Sequence, residues 1–325
     1  MERPLNKQPI ILDTDPGVDD ALAMMLALGS SELDVIGICT VSGNVPLNTG
    51  THNAQGLLQL LDRTEIPVFA GADQPLKRDP VFATEVHGES GMGQAVLPEP
   101  SQKIKGDAVD FLVQTLSDQP GEITIIAVGP LTNLALAEQR QPGTLQKAKQ
   151  VIVMGGAIAE TGNSTPVAEF NFYADPHAAQ IVVHSDAALL IVPLDATRQV
   201  VLSETDIENQ IASLKTVASQ FVVDAVQNVF ALYRQLEREP IVYLHDPLAV
   251  GAAIASELLR SETLYIDIET SGDLTMGQVV TDRRGLPPPY RLGEPVNCAM
   301  HVNAEAFLSL FLTRIFKSAN RRIDE

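Results

Sequence analysis

Basic residues are scarce in this chain. Its 325 residues include 22 lysines and arginines against 41 aspartates and glutamates, a formal net charge of −19. A surface of that sign repels nucleic-acid phosphates and anionic membranes, which leaves a neutral or cationic small molecule as the favoured ligand. Cysteine is scarcer still, with only Cys39 and Cys298, both in apolar strand-like runs and without metal or redox spacing. That excludes a disulfide framework and reads as free buried thiols in a reducing compartment. No apolar run reaches membrane-spanning length, and Met1 to Lys7 contain no apolar signal-peptide core. A cytoplasmic protein with no membrane partner is expected.

What is present is a large apolar fraction, 45%, with only 19% of residues charged. Short β-branched runs alternate with amphipathic stretches, the pattern of strand and helix units around a parallel sheet. Strands are expected over residues 10–13, 35–41, 123–128, 150–154 and 189–193. Helices are expected over 21–28, 48–61, 107–116, 132–137 and 176–184. Residues 203–236 read as one or two helices and 247–255 as a short one. Three antiparallel strands follow over 263–269, 276–281 and 296–302, and a last helix over 304–316. Nothing in composition forces a boundary, so residues 1–325 are read as a single domain of the α/β class. Ligands in such sheets gather beyond the carboxyl ends of the strands, where Asp15, Asn44, Gly129 and Gly155 fall. Two long glycine-rich connections, 71–94 and 155–173, are candidate binding loops.

The most informative segment is Asp13-Thr14-Asp15-Pro16-Gly17-Val18-Asp19-Asp20, four carboxylates within eight residues between a strand-like and a helix-like run. Carboxylates so close raise one another's pKa and stay ionised together only if a metal, a cationic partner or a helix N-terminus offsets the repulsion. An all-oxygen, anionic set suits calcium or magnesium better than zinc or copper. A plainer reading makes Asp19 and Asp20 first-turn helix carboxylates. A rival functional one is the strand-ending Asp-x-Asp of haloacid-dehalogenase-type phosphotransferases, with Asp13 as nucleophile and magnesium bound.

Two further constellations bear on chemistry. His245-Asp246-Pro247 is either an ordinary helix start or the place of an acid titrating near neutrality beside a metal-binding carboxylate. The loop from Gly162 to Asn171 interleaves Asn163, Glu169 and Asn171 with small residues, and offers amide and carboxylate groups to the hydroxyls of a sugar. His87-Gly88-Glu89-Ser90-Gly91-Met92-Gly93 reads as a mobile flap or a plain flexible loop. His52, His177, His184 and His301 are taken as structural.

The Asp13–Asp20 segment, Val41-Ser42-Gly43-Asn44, His87-Gly88-Glu89-Ser90-Gly91, Gly129-Pro130-Leu131-Thr132-Asn133, Met154-Gly155-Gly156, the loop to Asn171 and His245-Asp246-Pro247 resemble, in order, the motifs of the inosine–uridine-preferring nucleoside hydrolases. The resemblance implies an open, mostly parallel but mixed Rossmann-like sheet flanked by helices. It also implies hydrolysis of a ribonucleoside to ribose and free base, one calcium per subunit, and a homo-dimer or homo-tetramer.

By the same resemblance Asp15, Asp20, Asp246 and the Val128 carbonyl are the protein ligands of the metal. Asp15 is also the general base toward water, and His245 the donor to the leaving base. Asp19, Asn44, Asn163, Glu169, Asn171 and Met154 hold the ribose, and His87 lies among the substrate contacts. Tyr233 either stacks on or hydrogen-bonds the base or is a partly buried helix residue. The chain has no tryptophan, so the indole stack of purine-specific members is missing and strict purine specificity is disfavoured. A phosphotransferase and a non-catalytic ribose or nucleoside receptor remain the alternatives.

Overall fold

A strand buried on both faces needs apolar residues at consecutive positions, and the central runs of this chain supply them. The computed structural model describes residues 7–287 and 289–316. The leading residues read for a secretion signal lie, Lys7 apart, outside that range. The strands are β1 (Gln8–Thr14), β2 (Leu33–Thr40), β3 (Val68–Ala70), β4 (Gly106–Asp107), β5 (Thr124–Ala127), β6 (Gln150–Met154) and β7 (Leu189–Val192). They continue with β8 (Val201–Ser203), β9 (Ile241–Tyr243), β10 (Leu259–Ile268), β11 (Val279–Thr281) and β12 (Glu294–Val302). Ten of them form one sheet in the order β11-β10-β12-β7-β6-β5-β1-β2-β3-β4, and β8 pairs with β9 in a separate antiparallel ribbon.

From β12 to β4 each neighbouring pair is parallel, whereas β10 runs antiparallel to β11 and β12. The expected mixed sheet is present, with one refinement. β12, expected in an antiparallel group, also pairs parallel with β7 and so joins that edge to the parallel body. Strands β3, β4, β8 and β9 were not anticipated, since runs of two or three residues are too short to show a period. Residues 203–236 are more broken than one or two helices. A short turn at Glu204–Asp206 leads through a π-helical and a 3-10 turn to Lys215 at φ 53°, before helices Val217–Ala225 and Gln227–Gln235.

Side-chain alternation along the strands splits the core in two. Ile10, Leu12, Ile126, Ile152, Met154 and Val192 pack on one face with helices Val18–Gly29, Leu47–Leu60, His245–Ile254 and Ala304–Arg314. Ile11, Ile125, Val151, Val153 and Ile191 pack on the other with helices Ala108–Asp118, Thr132–Arg140 and Pro176–Val183. Among the described residues no helix is long and apolar enough to cross a membrane.

Two consequences fix the functional site. The sheet order reverses between β1 and β5, so the connections leaving these neighbouring strands diverge and open a crevice at their carboxyl ends. Helix Val18–Gly29, buried over Ala21–Leu28, packs against helix His245–Ile254. Their first turns, which carry Asp19 and Asp20 on one and Asp246 on the other, meet at that crevice.

Candidate active site

Asp15 leaves β1 at the reversal point and is fully buried. Two glycines make room for it. A Cβ on Gly43 would lie 2.0 Å from Asp15 Oδ2, and one on Gly129 would lie 2.6 Å from Asp15 Oδ1. Neither separation is compatible with a side chain, so the turns after β2 and β5 close on Asp15 only because both residues lack one. Oδ2 accepts the backbone N–H of Asn44 at 2.6 Å, while Oδ1 is buried without a hydrogen-bond partner.

Asp20 is held more completely. It accepts from the Thr14 hydroxyl at 2.5 Å, the backbone N–H groups of Asp15 at 3.1 Å and Gly17 at 2.9 Å, and Asn44 Nδ2 at 2.9 Å. Oxygens of Asp19, Asp20 and Asp246 lie within 4.8 Å of one another. Asp19 Oδ1, like Asp15 Oδ1, has no hydrogen-bond partner.

The cluster is electrostatically unfinished. Burial, followed by the Asp20 charge, raises Asp15 well above the carboxylate range and Asp19 to about 8. Burial, followed by Asp19, Asp20 and Asp15, raises Asp246 in the same way. Two helix N-termini offset part of the charge. No lysine or arginine forms an ion pair with these groups among the described residues, and the contact nearest to one is His87 Nδ1 at 4.0 Å from Asp19 Oδ1. Burial pushes His87 down to about 4, so it is neutral there and its Nδ1 accepts the Val18 N–H at 3.1 Å. Convergent buried oxygens, two without partners and none with a side-chain cation, fit a hard divalent ion.

Around this floor the expected sugar-side residues divide. Asn171 Nδ2 donates to the Val128 carbonyl at 2.8 Å and the Met154 carbonyl at 3.1 Å. The Val128 carbonyl keeps a second lone pair beyond that bond. Glu169, buried, caps helix Phe170–Ala174 by accepting from Asn171 N and Phe172 N, and also accepts Gly156 N at 2.9 Å. Burial raises its pKa against those backbone donors. Asn163 is exposed and accepts Phe170 N at 2.8 Å, which closes the loop on itself. Asn44 donates to Asp20, so here it orients a carboxylate. The loop after His87 lies against the body rather than standing off it, with Asn53 Nδ2 donating to both Pro16 O and Ser90 O and Met92 buried.

On the opposite wall, His245 Nδ1 lies 2.7 Å from Thr197 Oγ1, and its ring centroid 5.3 Å from that of Tyr243. Burial, then Arg198 and His87, lower His245 to about 3. That lowering favours the neutral ring over the imidazolium titrating near neutrality that the sequence suggests. Tyr233 is half-buried on helix Gln227–Gln235, its pKa raised by burial and then by Tyr243.

The profile of the inosine-uridine preferring nucleoside hydrolase family matches residues 10–309. This chain belongs to that family, and so is an N-glycosyl hydrolase. It is 37% identical over 317 residues to the pyrimidine-specific ribonucleoside hydrolase RihA of Photobacterium profundum, covering 95% of this chain and 98% of that one. Uridine nucleosidase 1 of Arabidopsis thaliana is 34% identical, with 95% and 94% covered. Among solved structures, a plant nucleoside hydrolase superposes with a TM-score of 0.89 at 35% identity, covering 96% and 99%. A purine-preferring ribonucleoside hydrolase from Gardnerella vaginalis gives 0.89 at 31%, covering 95% and 98%.

Family membership removes the phosphotransferase reading, and the geometry gives the reason. Asp13, its required nucleophile, accepts from Asn133 Nδ2 at 2.8 Å, whereas it is Asp15 that feels the charges of Asp20 and Asp19. Sequence reasoning missed three supporting residues of this nucleoside hydrolase. Thr14 and Thr197 anchor Asp20 and His245. Asp195 accepts Ile158 N at 2.8 Å and Ala159 N at 2.7 Å and braces the loop after β6. The available signal was position, since Thr14 ends β1 and Asp195 and Thr197 lie just past the carboxyl end of β7.

Proposed function

We propose that this nucleoside hydrolase cleaves the N-glycosidic bond of pyrimidine ribonucleosides, with purine ribonucleosides as secondary substrates, and uses one calcium ion per subunit. The observation that carries the reading is the convergence of Asp19, Asp20 and Asp246 at the sheet's reversal point, with Asp15 close enough to feel their charge and one oxygen each of Asp15 and Asp19 buried and unpartnered. Pyrimidine preference is supported by the names of the two sequence relatives above, a pyrimidine-specific hydrolase and a uridine nucleosidase, and the absence of tryptophan speaks against strict purine specificity. Asp15, Asp20, Asp246 and the Val128 carbonyl would hold the ion, whose chemistry when bound is to acidify the attacking water.

The remaining work falls to the chain's own groups. Asp15 Oδ1 accepts the proton of the water. Asp19 Oδ1 accepts from a ribose hydroxyl, and Glu169 and Asn171 hold the rim of the sugar. Rupture of the C1′–N bond builds positive charge on the ribose ring, which this anionic floor stabilises more than the neutral substrate. His245, uncharged, offers a hydrogen bond to the charge gathering on the departing base, with Tyr233 beside it. A homo-dimer or homo-tetramer in the cytoplasm completes the proposal, the latter consistent with free, buried Cys39 and Cys298.

Ribose release from uridine, inosine and 2′-deoxyuridine tests it. Uridine should be cleaved fastest, and the deoxy analogue about 10² or more times slower, because it leaves buried polar groups unpaired. Equal rates for uridine and 2′-deoxyuridine, or tight binding of uridine without turnover, would overturn the assignment.

A further inference from the structure

We propose that the Thr197 hydroxyl is a positioning group that fixes His245 as the tautomer with its proton on Nε2, so that the ring meets the leaving base as an N–H donor. The inference rests on the reading above, in which His245 faces the base. It concerns which nitrogen carries the proton.

Thr197 ends the short helix Leu194–Thr197, is fully buried, and has its Oγ1 2.7 Å from His245 Nδ1. That contact has two possible senses. If Nδ1–H donated to Thr197, the hydroxyl proton would need another acceptor, and among the described residues Thr197 Oγ1 makes no other hydrogen bond. A buried hydroxyl left unmet is costly enough to bias the two arrangements by roughly tenfold or more. If the hydroxyl donates to Nδ1, both sides of the buried contact are satisfied and the single ring proton lies on Nε2. Nε2 has no protein hydrogen-bond partner among the described residues, so it is the nitrogen available to a ligand.

The surroundings hold this arrangement. The Tyr243 ring packs beside the imidazole, with centroids 5.3 Å apart and planes tilted by 30°. The next residue, Arg198, donates through Nη1 to Thr161 O at 2.8 Å and through Nη2 to Gly162 O at 3.0 Å. The turn that presents the hydroxyl is thereby tied to the start of the sugar-side loop. A Thr197–Arg198 pair couples the two walls of the site, one residue to each.

The test uses calcium-loaded enzyme with ¹⁵N-labelled histidine, His245 being assigned by its loss in His245→Gln. Wild type and Thr197→Ser should show a protonated-type Nε2 and an unprotonated-type Nδ1. Thr197→Val, which keeps the shape but lacks the hydroxyl, should shift the pair toward Nδ1–H or a mixture. In parallel, Thr197→Val should lower kcat for uridine roughly five- to tenfold with KM changed by less than about twofold, and Thr197→Ser should restore it. A wild-type proton on Nδ1, or a Thr197→Val enzyme with wild-type kcat, would overturn the proposal. Because the wild-type tautomer is read without turnover, it decides the point even if Thr197→Val fails to fold. A His245→Ala enzyme that cleaves uridine normally would instead sink the leaving-group reading and leave the tautomer result standing.

Discussion

Stripping the acidic cluster of its cation and then restoring it should release protons, and the number follows from the geometry. In the metal-free site, burial and then the Asp20 charge hold Asp19 at about 8, so at pH 7 the protonated form predominates. Asp15 and Asp246 are raised in the same direction by burial and their neighbours. A cation requires these groups ionised. Calcium added to chelated enzyme at pH 7 should therefore release between about one and three protons, and fewer as pH rises. Calorimetric titration in two buffers of different ionisation heat reads the number directly. Stability carries the same sign. Because the folded pKa lies above the unfolded 3.8, the contribution of Asp19 is fully present below that value and is lost as pH rises through about 8. The Tm of the chelated enzyme should fall between pH 6 and pH 9, and that of the calcium-loaded enzyme should hold. Buffer-independent binding heat at pH 7, or parallel Tm profiles, would refute the reasoning.

Two further outcomes follow from the packing. Gly43→Ala places a methyl 2.0 Å from Asp15 Oδ2, so the carboxylate must move and kcat/KM should fall about 10²-fold; steady-state kinetics beside a wild-type control check this, and unchanged activity would remove Asp15 from its assigned place. Arg314 donates to both oxygens of Glu32 and ties the last helix to the connection before β2. Its hydrogen bonds are the main reason Glu32 lies at about 2 instead of 4.5. That stability is complete above 4.5 and is lost as pH falls toward 2. The pair is partly exposed, so Arg314→Ala should cost about 1 kcal/mol or less by urea unfolding at pH 7, with the difference from wild type shrinking in acid.

The parallel body of the sheet was legible because its strands are buried on both faces and read as uninterrupted β-branched runs. What escaped was set by length or by partners. Residues 68–70 extend the sheet only because β2 offers them an edge, and residues 106–107 because β3 then offers the next. The breaks in residues 203–236 had a readable local cause. Ser203 with Asp206, and Thr216 with Ser219, form reciprocal capping boxes, each of which starts a new turn. Periodicity alone runs across such starts without registering them.

At the site, residue type and position near strand ends pointed to Asp15, Asp19, Asp20 and Asp246, and the structure brings the last three within 4.8 Å of one another, while Asp13 of the same crowded segment turns away to Asn133. Partner assignment was not legible. Asn44 and Asn171 read as amides offered to a sugar, and nothing in the sequence signalled that their Nδ2 groups also donate to Asp20 and to the Val128 and Met154 carbonyls. Thr197 and Asp195 looked like ordinary polar interruptions after an apolar strand. Their importance lies in what they face across the crevice, Nδ1 of His245 and the N–H groups of Ile158 and Ala159. These contacts join segments dozens of residues apart, and local pattern carries no information about them. The same distinction applies to the two glycines: Gly43 and Gly129 read as weak turn formers one at a time, and become necessary only when both turns close on one buried carboxylate.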